Sequence, residues 1–139
     1  YFGDGTQPCD FTSVQDAGKV VAAAISDYKE APGKICFAGD VLTMPQLAES
    51  ISAGTGTSIT AKSNGTVDDL AALIKDKQAH AENPWEWIAL QYHHNMVSGR
   101  AKMDPLDNDR YSNVKAESVK EFAERTKDIE IKGLGNSSK

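Results

Sequence analysis

The chain has 139 residues, 40% hydrophobic and 25% charged, the composition of one globular domain with a sizeable core. Its 15 Lys and Arg against 20 Asp and Glu leave a formal charge of -5, which argues against nucleic acid or an anionic membrane surface as a partner. No apolar run approaches the roughly 20 residues of a membrane span and nothing reads as a signal peptide, so cytoplasm is the expected location.

The chain opens on Tyr1 rather than Met, which points to an excised or processed piece of something longer. Residues 1–139 read as a single compact unit. Gly3, Asp4 and Gly5 make the first eight residues a turn rather than a phosphate-binding loop, because no strand precedes them and no helix starts at once. Asp10–Val14 is predicted to be extended. Val14, Ala17, Val20, Val21, Ala24 and Ile25 then repeat at helical spacing and predict the core face of a first helix. Gly18 lies inside that helix, where close packing against a neighbouring backbone would compensate for its poor propensity. Pro32-Gly33 leads into Ile35-Cys36-Phe37-Ala38, an apolar run predicted to be a strand covered on both faces.

Thr43 with Gln46 is a capping box with Pro45 in the first turn, and Gly54 or Gly56 should stop this second helix. Its buried stripe is predicted as Met44, Leu47, Ala48 and Ile51. Residues 58–62 alternate like a short strand. Thr66 caps a third helix with Asp68 and Asp69 in its first turn and Val67, Leu70, Leu73 and Ile74 on its inner face. Asn83-Pro84 starts a fourth helix that is apolar on two sides. Trp85, Ile88, Ala89, Tyr92 and Met96 supply a complete core stripe; Trp87, Leu90, His94 and Val97 form a second flank that needs cover from a cleft, a partner or the short helix around Phe122. Residues 103–111 read as an acidic solvated loop, Ser118 with Glu121 as a last capping box, and Ile129–Ile131 as a terminal strand.

Few residues carry chemistry. Adjacent His93 and His94 point about 100° apart on a helix and cannot share one metal, so no metal site is assigned. Asp104, Asp107 and Asp109 lack the central glycine and terminal glutamate of a calcium loop. Asp10 and Asp16 could flank a cleft, although a first-turn acid such as Asp16 is explained by the helix start alone. Ser13 and Ser98 have no evident base partner, and Cys9 and Cys36 are either buried thiols or, if their strands adjoin, a disulfide.

Four pieces, in order, cover nearly the whole chain: Gly3-Asp4-Gly5 followed by Phe11 and Val14-Gln15-Asp16-Ala17-Gly18; Gly33-Lys34-Ile35 through Gly39-Asp40; Leu42-Thr43 with Gln46-Leu47-Ala48 up to Thr55-Gly56; and Tyr111-Ser112-Asn113-Val114-Lys115 with Ser118-Val119-Lys120-Glu121-Phe122. In these the sequence resembles the C-terminal portion of an NmrA-like, isoflavone-reductase-like atypical short-chain dehydrogenase/reductase. The resemblance implies an α/β fold: part of a Rossmann-type sheet edge plus a small helical substrate-binding domain. It also implies a parent that uses NADP or NAD on a small organic or quinone-like substrate, or one that senses the dinucleotide and binds a regulatory protein without turnover. The family's glycine-rich nucleotide motif, most of its strands and its catalytic Lys or Tyr region are absent from these residues. No catalytic or cofactor-binding residue is therefore assigned, and the chain alone is expected neither to hold the dinucleotide tightly nor to reduce anything. By the family's pattern Phe11, Trp87, His93 and His94 would be walls of a substrate cleft. The expected partners are a small-molecule substrate and either the missing N-terminal Rossmann domain or a regulatory protein.

Overall fold

Four hydroxyl side chains set the starts of four helices. Ser13, Thr43, Thr66 and Ser118 each hold an extended backbone and accept the amide N–H of the residue three positions on. In the last three cases the side chain at that position, Gln46, Asp69 or Glu121, reaches back to complete the capping box. A computed structural model describes residues 1–129. Its elements are β1 (Cys9–Phe11), α1 (Val14–Ser26), β2 (Asp40–Leu42), α2 (Met44–Thr55), α3 (Val67–His80), α4 (Trp85–Val97) and α5 (Val119–Thr126), with a 3-10 turn at Asn108–Tyr111. The result is a small α/β domain. Among the described residues its sheet has two antiparallel strands, β1 and β2, with Cys9 opposite Leu42 and Phe11 opposite Asp40.

The first predicted strand is shorter than expected and shifted toward the N-terminus, because Ser13 is already committed as the cap of α1. The second differs more. Cys36, Phe37 and Ala38 are buried, yet among the described residues no strand pairs with positions 35–38. Side chains of the acidic loop take the place of a partner strand. Asp107 Oδ2 accepts the Cys36 N–H at 2.7 Å, and Asp107 N–H donates to the Cys36 carbonyl at 2.6 Å. Asn108 accepts the Ala38 N–H through Oδ1 at 3.2 Å and donates Nδ2 to the Ala38 carbonyl at 2.7 Å. The loop read as solvated thus satisfies the backbone of a buried segment. Residues 58–62 form no strand either; Ile59 is held by the Ser52 hydroxyl, and Lys62 and Asn64 by the backbone of Tyr1. The expected terminal strand runs beyond the described residues.

Two apolar clusters form the core. Val20, Phe37 and Tyr111 pack together under α1, and Leu70, Ile74 and Val97 join α3 to α4, with Leu90 and Phe2 against them. On α1 the expected core face is therefore only partly used: Val20 is buried, but Val14, Val21 and Ile25 are exposed. On α4 the two flanks are reversed from expectation. Leu90 and Val97 face α3 with Trp87 half-buried, while Trp85 and Tyr92 are 72% and 71% exposed. The cover for the Trp87 side is α3, not the helix bearing Phe122, which packs on α2 instead. Periodicity places the stripes of an amphipathic helix but does not say which stripe the rest of the chain reaches.

Gly56, at φ +73°, ends α2. Gly54 has a different role. It is buried where α2 meets α5, and a Cβ there would overlap the Lys120 carbonyl and lie 2.8 Å from Ala123 Cβ and 2.9 Å from the Glu124 nitrogen. Gly18, expected to be a close-packing point, faces open space, so its cost in helix propensity is uncompensated. Gly54→Ala should therefore lose about 1–3 kcal/mol and Gly18→Ala gain about 0.5–1 kcal/mol in urea melts. Equal responses from the two would contradict the assigned packing. Asp107→Ala should cost about 1–3 kcal/mol by leaving the Cys36 amide unpaired, and hydrogen exchange at that amide should quicken selectively.

Candidate functional site

A groove of about 800 Å³ opens between the start of α1, one side of α2, and α5 with the residues that follow it. Its apolar lining comes from every wall: Phe11 and Val14, then Leu47 and Ile51, then Val119 and Phe122. Val14 is 90% exposed there, and Phe122 and Ile129 also remain exposed. An opening with several large apolar side chains left in water suits a ligand or partner better than a random surface does.

Its polar groups are mostly turned inward on the protein. Thr12, Thr55 and Thr126 donate their hydroxyls to the carbonyls of Phe37, Ile51 and Phe122. Asp40 accepts the Val119 N–H at 3.0 Å, which orients the start of α5. Glu117 forms a two-point pair with Arg125, Oε1 to Nη2 at 2.7 Å and Oε2 to Nε at 3.1 Å. The guanidinium also lies 5.2 Å from the centre of the Phe122 ring. That pairing holds the Glu117 carboxyl below its usual range.

Beside the groove, Asp16 is wholly buried. It accepts Lys19 Nζ at 2.6 Å and the Glu117 N–H at 2.9 Å, so it joins the first turn of α1 to the segment that launches α5. Burial pushes its carboxyl upward more than any one partner acts on it. Together the Lys19 ammonium, the Glu117 amide and Ser13 outweigh that burial and hold it below its ordinary value. Asp10 on β1 has a parallel duty: Oδ2 accepts the Met103 N–H at 2.7 Å, and Lys102 Nζ lies 2.8 Å from Oδ1. Neither acid is presented to a cleft as a chemical group.

Of the sequence-predicted wall residues, Phe11 lines the groove and Trp87, His93 and His94 do not. Trp87, His93 and His94 sit on α4 and are half-buried; His93 packs edge-on to Phe2 with ring centres 5.8 Å apart, and burial pushes its imidazole below its usual pKa. Cys9 and Cys36 are free, buried thiols, and burial raises Cys9 further from reactivity. Among the described residues no cluster of three His, Cys, Asp or Glu side chains is placed to hold a metal ion. Sequence reasoning missed Leu47, Ile51 and Phe122 as groove residues. Their signal was present as helix stripes that are apolar but only half-covered, and it became readable only once α2 was seen to pack on α5. No protein-family model matches the chain, and comparison with curated proteins gives no match. No helix of the described residues is long and apolar enough to cross a membrane.

The depressed carboxyl of Asp16 fixes the sign of a pH effect. A group whose pKa is lower folded than unfolded contributes its full stability above the unfolded value, near pH 4, and loses it as pH falls through the folded value. Urea melts from pH 7 down to pH 2.5 should show that loss, and Asp16→Asn should flatten it. At pH 7 the same substitution should cost about 1–3 kcal/mol. An unchanged acid profile in Asp16→Asn would show that the bond from Asp16 to Glu117 is not what acid removes.

Proposed function

We propose that this chain is the substrate-binding part of an NAD(P)H-dependent oxidoreductase of the NmrA-like kind, acting on a small organic or quinone-like molecule. The observation that carries the reading is the groove itself: about 800 Å³, apolar on three walls, with Phe11 among its residues. A volume of that order accommodates a drug-sized or quinone-sized ligand. The nucleotide would be supplied by an N-terminal Rossmann half. In keeping with that, the exposed Val21, Ile25 and Tyr28 leave an apolar face on and just after α1 where another body could pack. The groove's carboxylates are engaged in internal bonds, so hydride and proton transfer would belong to the nicotinamide and the other half.

That same engagement of the groove's carboxylates also suits a second reading, a regulatory module of an NmrA-like dinucleotide sensor that binds without turnover. The Rossmann half separates the two: a catalytic Lys or Tyr in it makes the parent an enzyme.

Calorimetric titration of the chain with a water-soluble naphthoquinone should give saturable binding that Ile51→Asn abolishes while far-ultraviolet circular dichroism is unchanged. NADPH should show no micromolar binding to the chain alone. Naphthoquinone binding that survives Ile51→Asn, or tight binding of NADPH, would overturn the assignment.

A further inference from the structure

The groove's internal hydrogen bonds select among the molecules it can hold. We infer that its ligand is an apolar monoanion, with a hydrophobic body on Ile51 and Phe122 and one anionic group at Lys127; this rests on the groove reading above. The argument is one of elimination over the polar lining. The three threonine hydroxyls donate to carbonyls of their own chain, and the Ser118 hydroxyl donates to Glu121 at 2.8 Å. Ser13 accepts the Asp16 amide, Asp40 accepts the Val119 amide, and Glu117 and Arg125 satisfy each other. Gln15 and Lys127 are left as the lining side chains with no hydrogen bond or ion pair among the described residues. Of these two only Lys127 carries charge.

A ligand rich in hydroxyls would lose its water bonds and find few free donors in return, because the lining threonine and Ser118 hydroxyls already donate within the protein. A ligand with several negative charges would meet one unpaired cation, Lys127, and the carboxylate of Asp40, since Arg125 already offsets Glu117. A single anionic group at Lys127 gains the attraction of the one unpaired cation of the lining. The apolar remainder is held by the groove's walls, where removal of surface from water drives binding. Aromatic or fatty carboxylates and sulfonates have this chemistry.

Two fluorescent probes with the same aromatic body separate the terms. 8-Anilinonaphthalene-1-sulfonate carries one negative charge, and N-phenyl-1-naphthylamine carries none. In fluorescence titrations of the full chain, Lys127→Glu should weaken the sulfonate about fivefold or more and leave the neutral amine unchanged. Lys127→Arg should retain most of the sulfonate's affinity, and raising the salt concentration should weaken only the anionic probe. Phe122→Ser should weaken both. If Lys127→Glu leaves the sulfonate unchanged while Phe122→Ser weakens both probes, the groove stands and the preference for an anion is wrong. If neither Phe122→Ser nor Ile51→Asn affects either probe, the groove reading itself fails. Lys127 is exposed, so its substitutions leave the fold in place as the control for both outcomes.

Discussion

Side-chain carboxylates and one amide, bonded to backbone amides far away in sequence, hold the architecture together. Asp107 and Asn108 reach Cys36 and Ala38, Asp16 reaches Glu117, Asp40 reaches Val119 and Asp10 reaches Met103. A two-stranded sheet is too small to stabilise itself. In its place these bonds satisfy the main chain of the buried 35–38 segment and tie the 103 loop and the start of α5 to the rest of the fold. The requirement is strict, because an amide removed from water without an acceptor costs about 1–3 kcal/mol. It also explains why acids are found buried in a chain whose surface already carries an excess of them.

What the sequence made legible was local. The Thr43 and Ser118 capping boxes, the Thr66 cap and the left-handed stop at Gly56 depend on residues within a few positions of one another, and their chemistry does not wait for the fold. Burial of Cys36 to Ala38 was readable from their uninterrupted apolarity. Their lack of a ladder was not, because the partner is a pair of polar side chains about 70 positions away, at Asp107 and Asn108. The reversed flanks of α4 and the unused half of the α1 stripe failed for a related reason. Both helices have more apolar surface than the described residues cover, and pattern alone does not rank the faces.

The candidate site divides in the same way. Phe11, named as a wall through the family resemblance, lies at the end of β1, before the cap of α1, and lines the groove. Trp87, His93 and His94 were named through the same resemblance; they sit on α4, which packs on α3, with His93 against Phe2, and none of them lines the groove. Conversely, Ile51 and Phe122 belong to helices whose stripes looked like ordinary core. They line a groove because Gly54 lets α2 and α5 approach closely at one end while the stripe beyond it opens toward Val14.

The bonds that close the α1 cluster and the sheet span 71, 101, 93 and 79 positions, so the first third of the chain is completed by the last. Synthesis proceeds in the other direction. A nascent chain has α1 and residues 35–42 outside the ribosome well before Met103, Asp107 or Glu117 exists to receive them. Until then Asp10 and Asp16 lack their distant amides, and the apolar run at 35–38 is an unpaired edge of the kind that recruits other chains. Contacts of such long reach form late and slowly, since the loops they close must be ordered before the contacts stabilise anything. The nascent N-terminal third is thus the segment most dependent on chaperone protection, and it stays so until the residues that launch α5 have emerged.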